Sequence, residues 1–224
     1  MTYLLALETS GHGGSVALYV DGDVTERVIA SPREQTDVIV PYIDALLGDA
    51  GIELGSLDGI AFGRGPGSFT GLRVATAVAQ GIGLALGTAL LPVSSLAAIA
   101  QRLWREHGAE HSLVCVDARM DEVFWAQYAA RAGEVTVVGS ERLSAPVAVE
   151  FRGEGPWVGA GSGFAAYPIA LGAVASRAER VVADVEPLAR DLLPLALAAL
   201  EAGHVCPLEK ALPTYLRREE AWRR

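Results

Sequence analysis

From Val74 to Gln101 the chain carries no charged side chain. A run that long and that apolar has to leave water, either across a bilayer or inside a folded core. Its interruptions favour the core. Gln80 breaks it, Gly87 and Thr88 read as a helix stop, and Pro92 followed by Ser94 and Ser95 reads as a strand end and a new helix cap. The segment is therefore predicted to form three buried elements in succession: a helix from about Thr70 to Leu86, a strand from Ala89 to Val93 and a helix from Ser95 to His107.

The remaining pattern is that of an α/β chain. Tyr3 to Glu8 and Ser15 to Val20 read as buried strands, Asp21-Gly22-Asp23 as a hairpin turn, and Val24 to Ala30 as the third strand of a β-meander. Thr36 is expected to cap a helix carrying Val38, Ile39, Tyr42, Ile43, Leu46 and Leu47, kinked at Pro41 and ended by Gly48 or Gly51. Leu57 to Phe62 is a short strand. A similar order restarts at Ser112, with strands Ser112 to Val116, Val123 to Tyr128 and Val135 to Arg142. A strand at Trp157 to Gly159, a short helix near Phe164, a strand at Val181 to Ala183 and a helix from Pro187 to Ala202 follow. The pattern β-β-β-α-β-α thus occurs twice without evident sequence identity, which predicts mixed sheets covered by helices. A boundary near Glu106 to His111 gives halves 1–106 and 107–224, the last segment packing back on the first. With 224 residues, 51% of them hydrophobic, such a chain can build its core without disulfides.

Charge excludes one function class. Eighteen Lys+Arg stand against 27 Asp+Glu, for a net charge of −9, and Lys210 is the only lysine. A chain this acidic is poorly suited to grip nucleic acid alone, because such binding rests on displacing phosphate counterions. The tail from Arg217 to Arg224 is mixed in sign and reads either as a basic patch or as a solvated helix end. Cys115 and Cys206 read as buried thiols of a reducing compartment, although one Cys–Cys pair stays open. The start, Met1 to Glu8, has no basic segment and meets a carboxylate early, so a cytoplasmic location is expected.

Gly63-Arg64-Gly65-Pro66-Gly67-Ser68-Phe69-Thr70-Gly71-Leu72-Arg73 falls between a predicted strand and helix. Two readings stay open. Gly65, Gly67 and Ser68 present backbone N–H groups and a helix end to an anion, or the glycines make a tight turn that Ser68 or Thr70 caps. The run is neither a P-loop nor a dinucleotide fingerprint. The helix after it places small residues at Gly71, Ala75, Ala79, Gly83 and Gly87, a stripe that lets another backbone approach, from its own sheet or from another chain. His107 and His111 have metal-like spacing, but Gly108 sits where the helix should end, so no metal site is expected. Glu8, followed by Ser10, and Asp117 end the first strands of the two halves. Such paired acids resemble a metal–nucleotide site of the actin, Hsp70 and sugar-kinase type, but Thr9 and Ala118-Arg119 stand where those proteins place glycines.

Five segments, Leu5 to Ser10, Gly63 to Arg73, Val93 to Leu96, Asp117 to Val123 and Pro213 to Arg217, together resemble the TsaB (YeaZ) family over nearly the whole chain. Glu8 departs from the family's usual Asp. The resemblance implies two tandem actin-like (ASKHA, ribonuclease H-like) halves and a role in forming N6-threonylcarbamoyladenosine at position 37 of tRNAs that read ANN codons. In the family's catalytic relative, TsaD, a His-x-x-x-His metal pair follows the corresponding segment. Ser95 and Ile99 hold those positions here, and neither ligates iron or zinc as histidine does.

What the resemblance implies is therefore a non-catalytic dimerisation subunit, with no catalytic residue, metal or cofactor of its own. It implies pairing with TsaD through Val38, Ile39, Tyr42, Ile43, Leu46, Val74, Ala75, Val78, Ala79 and Ile82. The ATPase TsaE joins the pair, a homodimer forms when TsaD is absent, and tRNA is met only through the complex. The alternative is an ATP-binding kinase or ATPase of the actin-like superfamily, with Glu8, Ser10, Gly65, Gly67, Ser68 and Asp117 as its anion or nucleotide contacts.

Overall fold

A computed structural model describes residues 1–217, so the tail from Arg218 to Arg224 lies outside the described residues. In chain order the elements are β1 (Tyr3–Glu8), β2 (Gly14–Val20), β3 (Asp23–Ile29), α1 (Gln35–Ala50), β4 (Gly59–Gly63), α2 (Phe69–Leu86), β5 (Ala89–Val93) and α3 (Ser95–His107). They continue with β6 (His111–Arg119), β7 (Glu122–Arg131), β8 (Glu134–Ser144), β9 (Val158–Ala160), α4 (Gly163–Ala166), α5 (Gly172–Ala175), β10 (Arg180–Val182) and α6 (Leu193–Glu201). Helix, strand and helix follow in the expected order, but α2 is not buried all round: it has the length and apolarity to cross a bilayer, with 28% of it buried, including Leu72, Ala75 and Ala79.

The two sheets share one topology. The first runs β3-β2-β1-β4-β5 and the second β8-β7-β6-β9-β10. In each, an antiparallel meander continues into two parallel strands. The expected repeat is therefore real, with one difference. No α-helix among the described residues stands between β8 and β9; a 3-10 turn at Pro146–Ala148 takes its place.

Alternation of side chains along the strands builds two cores on the first sheet. Leu5, Leu7, Ile60 and Phe62 face Ile39, Ile43 and Leu46 of α1 and Ala75 and Ala79 of α2. Leu4, Ala6, Ala61 and Leu91 face the other way, towards Ala98 of α3 and Leu193 and Ala196 of α6. In the second sheet Leu113, Cys115, Val123 and Trp125 pack with Phe164, Leu171 and Val174, and Phe151 stacks on Trp157 at 4.5 Å.

Contacts divide the chain into two compact units: Met1–Ala98 with Pro187–Pro213, and Ile99–Glu186 with the chain from Thr214. The division falls inside α3 rather than at its end. Ala98 belongs to the first core, whereas Gln101, one turn later, donates to the Gly133 carbonyl and accepts from Val135 N–H.

Two helix starts differ from expectation. Thr36 does not cap α1, which begins at Gln35 after an N-cap Glu34 that makes no side-chain cap bond. The buried Gln35 amide sets that start by donating to the carbonyls of Thr9 and Gly13 at 3.2 and 2.6 Å. The last helix begins at Leu193, not Pro187. Before it, Ser15 Oγ and Glu26 Oε1 accept the N–H groups of Ala189 and Arg190, which pins that stretch to β2 and β3, and Pro194 suits a first helical turn. Both cysteines are free thiols.

Candidate functional site

The end of β1 is a packed junction. Glu8 is fully buried; its Oε1 accepts the Ser10 N–H at 2.6 Å and its Oε2 the Ser95 hydroxyl at 2.9 Å. Burial pushes the Glu8 carboxyl above its usual range, and the hydrogen bonds from Ser10 and Ser95 pull the other way. Gly63 belongs to β4 at this point because a side chain there would run into the Glu8 carboxylate.

The glycine-rich run lies against the same junction. Ser68 N–H donates to the Ser10 carbonyl at 2.8 Å, Arg64 N–H to Val93 at 2.8 Å, and the Gly65 carbonyl accepts from Ser95 N–H at 3.0 Å. A Cβ on Gly67 would sit 2.7 Å from Ser10. Gly65 has φ 94°, a conformation that glycine adopts without strain. Ser68 caps α2 by accepting from Gly71 N–H at 3.3 Å. A turn capped by Ser68 is therefore present, and of the three N–H groups named for an anion that of Ser68 is bonded to the Ser10 carbonyl.

Glu8, Ser10, Gly65, Gly67 and Ser68 thus come together in the first unit. Asp117 stands in the second. Its Oδ1 accepts from Arg119 N–H at 2.8 Å and from the Tyr167 hydroxyl at 3.0 Å, and its Oδ2 pairs with the Arg119 guanidinium at 3.0 Å. Ser95, Gln35 and Tyr167 are not legible as partners in the sequence, because each is far along the chain from the group it meets. His107 ends α3 and His111 begins β6, with Gly108 at φ 63° between them. Among the described residues no group of three or more His, Cys, Asp or Glu is placed to hold a metal.

α1 and α2 sort the expected partner residues into two sets. Ile39, Ile43, Leu46, Ala75 and Ala79 are core residues, between 0% and 4% exposed, and present no surface. Val38, Tyr42, Val74, Val78 and Ile82 are half-buried. The small-residue stripe turns towards its own sheet: a Cβ on Gly71 would collide with the Thr9 carbonyl, and one on Gly83 would meet Leu90. The opposite face is open. Phe69 is 47% exposed and Leu84 73%, with Ala77 and Gly81 exposed between them; Leu86, the last residue of the helix, is 47% exposed on the Ala79 side. Arg73, the only charge on this helix, lies over the Phe69 ring at 3.7 Å. Positions 69, 73, 77, 81 and 84 follow helical spacing, so this stripe was visible in the sequence once the buried face was known.

Two mixed sheets of one strand order, each an antiparallel meander joined to a parallel pair, define a duplicated actin-like, ribonuclease H-like protein. A family model described as TsaD, tRNA N6-adenosine threonylcarbamoyltransferase, matches residues 23–223. The chain is 37% identical to the tRNA threonylcarbamoyladenosine biosynthesis protein TsaB of Escherichia coli K12, over 99% of this chain and 97% of that one. It is 44% identical to the protein of that name from Haemophilus influenzae, over 55% of this chain and 52% of that one. YeaZ from Pseudomonas aeruginosa superposes with a TM-score of 0.89 at 41% identity, over 96% of this chain and 100% of that one. Within the actin-like class, the chain belongs to the TsaB (YeaZ) family.

Proposed function

We propose that the chain is a non-catalytic subunit that binds and supports a TsaD-type transferase in forming N6-threonylcarbamoyladenosine at position 37 of tRNAs reading ANN codons. The observation that carries this reading is the open face of α2, where Phe69 and Leu84 are exposed on one line with Arg73, Ala77 and Gly81. A stripe of that kind on a helix marks a protein contact. The half-buried Val38, Tyr42, Val74, Val78 and Ile82 flank it, and the buried Ile39, Ile43, Leu46, Ala75 and Ala79 hold it up from beneath. The names of the relatives support the pathway. In this reading the chemistry and the tRNA grip belong to the partner, in keeping with a net charge of −9. Ser95, whose hydroxyl is bonded to Glu8, and Ile99, 2% exposed, offer no imidazole where TsaD carries its metal pair. The TsaE ATPase joins the pair, a second copy covers the stripe when TsaD is absent, and the site of action is the cytoplasm.

An ATP-binding kinase or ATPase finds less support, because the Glu8 carboxylate is already bonded and walled in by Gly63. Copurification of the full chain with the TsaD-type subunit of its own cell tests the proposal. Leu84→Glu and Phe69→Glu, both on exposed positions, are expected to abolish the complex and lower threonylcarbamoyladenosine in tRNA while leaving the melting temperature unchanged. If the complex and the modification survive both substitutions, the interface lies elsewhere and the reading is wrong.

A further inference from the structure

In the first unit a cavity of about 550 Å³ opens between β5, α6 and the segment His204–Cys206. It lies on the α6 side of the sheet, opposite α2, and adjoins the junction at Glu8 through Arg64, Val93 and Ser94. Cys206 N–H donates to the Leu90 carbonyl at 2.8 Å, which ties this segment to the outer edge of β5. Gly203 at φ 71° ends α6, and His204 N–H returns to the Ala199 carbonyl at 2.8 Å, so the backbone of His204 is fixed. Arg64 is fixed across from it through its own N–H on Val93.

The lining combines two chemistries. Leu91, Leu195 and Val205 contribute apolar wall, while Arg64, His204 and Ser94 contribute donors. Ser94 Oγ accepts from Ala97 N–H at 3.2 Å, and its own hydrogen is the group it offers outward. Among the described residues no carboxylate lines the cavity, although acids outnumber bases across the chain. Concave sites of roughly 300–1,000 Å³ with apolar walls and a few convergent polar groups are the usual form of a small-molecule site.

We propose that this cavity binds a small organic anion, its carboxylate or phosphate held by Arg64, His204 and Ser94 and its apolar part laid on Leu91, Leu195 and Val205. Arg64 supplies the forked donor geometry that carboxylate and phosphate share. This binding does not depend on the docking role of α2.

The test is titration of the isotopically labelled full chain with hexanoate, hexyl phosphate and the uncharged hexanamide, read by amide resonances. Saturable shifts at Ala97, Val205 and Cys206 with at least one anion, absent with hexanamide, are expected, and the two anions distinguish a carboxylate from a phosphate site. Arg64→Gln keeps the backbone bond to Val93 and is expected to weaken binding about tenfold. His204→Ala, on an exposed loop, gives an independent check through a smaller loss. Equal shifts with hexanamide, no saturable shift with either anion, or unchanged affinity in both variants would overturn the proposal.

Discussion

Arg217 reaches back to Glu122 with a 2.6 Å ion pair, and the same guanidinium nitrogen donates to the carbonyls of Ala118 and Arg119. These contacts fasten the β6–β7 turn, in which Arg119, Met120 and Asp121 all have φ between 57° and 61°. Left-handed conformation costs an ordinary residue about 1 kcal/mol or more. Arg217→Ala is therefore expected to lower stability by about 1–3 kcal/mol, measured as the urea midpoint of the full chain. Arg217→Lys should recover part of it, because the ammonium keeps the charge opposite Glu122 on a side chain that reaches less far than the guanidinium.

The buried carboxyl of Glu8 makes stability depend on pH. Its folded-state pKa is raised above the ordinary 4.5, so between those two values the folded chain binds more protons than the unfolded chain. Its contribution is therefore greatest below 4.5 and is lost as pH rises through the folded value. Glu8→Gln removes this dependence. Melting temperatures of both proteins from acid to neutral pH should show the variant gaining on the native chain as pH rises; parallel curves would contradict the assignment.

Glycines at two helical positions should respond oppositely to alanine. Gly71→Ala places a Cβ against the Thr9 carbonyl, backbone that cannot swing aside, and is expected to cost about 1–3 kcal/mol. Gly48→Ala in α1 meets nothing within 4 Å and should stabilise by about 0.5–1 kcal/mol. Chemical denaturation of the two single variants checks both signs.

Gln101 is buried and joins α3 to the β7–β8 turn with both ends of its amide. Gln101→Leu leaves the Gly133 carbonyl and the Val135 N–H without these bonds, and a loss of about 2 kcal/mol is expected in the same unfolding measurement.

The two thiols should differ in reactivity. Cys115 is fully buried, and burial pushes its thiol far up, with Asp117 adding to the shift. Cys206 is only partly buried. Titration with a thiol reagent in native buffer should modify Cys206 alone, and Cys115 only after denaturation.

These cases show what the sequence carried. β5 and α3 were read to the residue because Gly87, Pro92 and the paired serines mark their ends locally. The start of α1 was misread because Gln35 is held by Thr9 and Gly13, and no local pattern announces that bond. α6 was read too long for the same reason: Ser15 and Glu26 hold the preceding stretch from far upstream. At the junction Glu8 was singled out as a strand-end acid, but its partner Ser95 lies 87 positions away, so its burial and raised pKa belonged to the fold alone. Among the expected partner residues, periodicity identified the helices but could not separate the buried Ala79 from the half-buried Val78 beside it.

The first unit is discontinuous: Met1–Ala98 is completed by Pro187–Pro213, and Ala189, Leu192, Leu193 and Ala196 are integral to its core. During synthesis from the N-terminus, the early strands must therefore wait, one core face uncovered, until almost the whole chain has left the ribosome. Closing that core also means closing a long loop, a step that slows folding. A nascent chain stalled before Pro187 would carry an open apolar sheet face, the kind of surface that is prone to aggregate until the last core residues arrive.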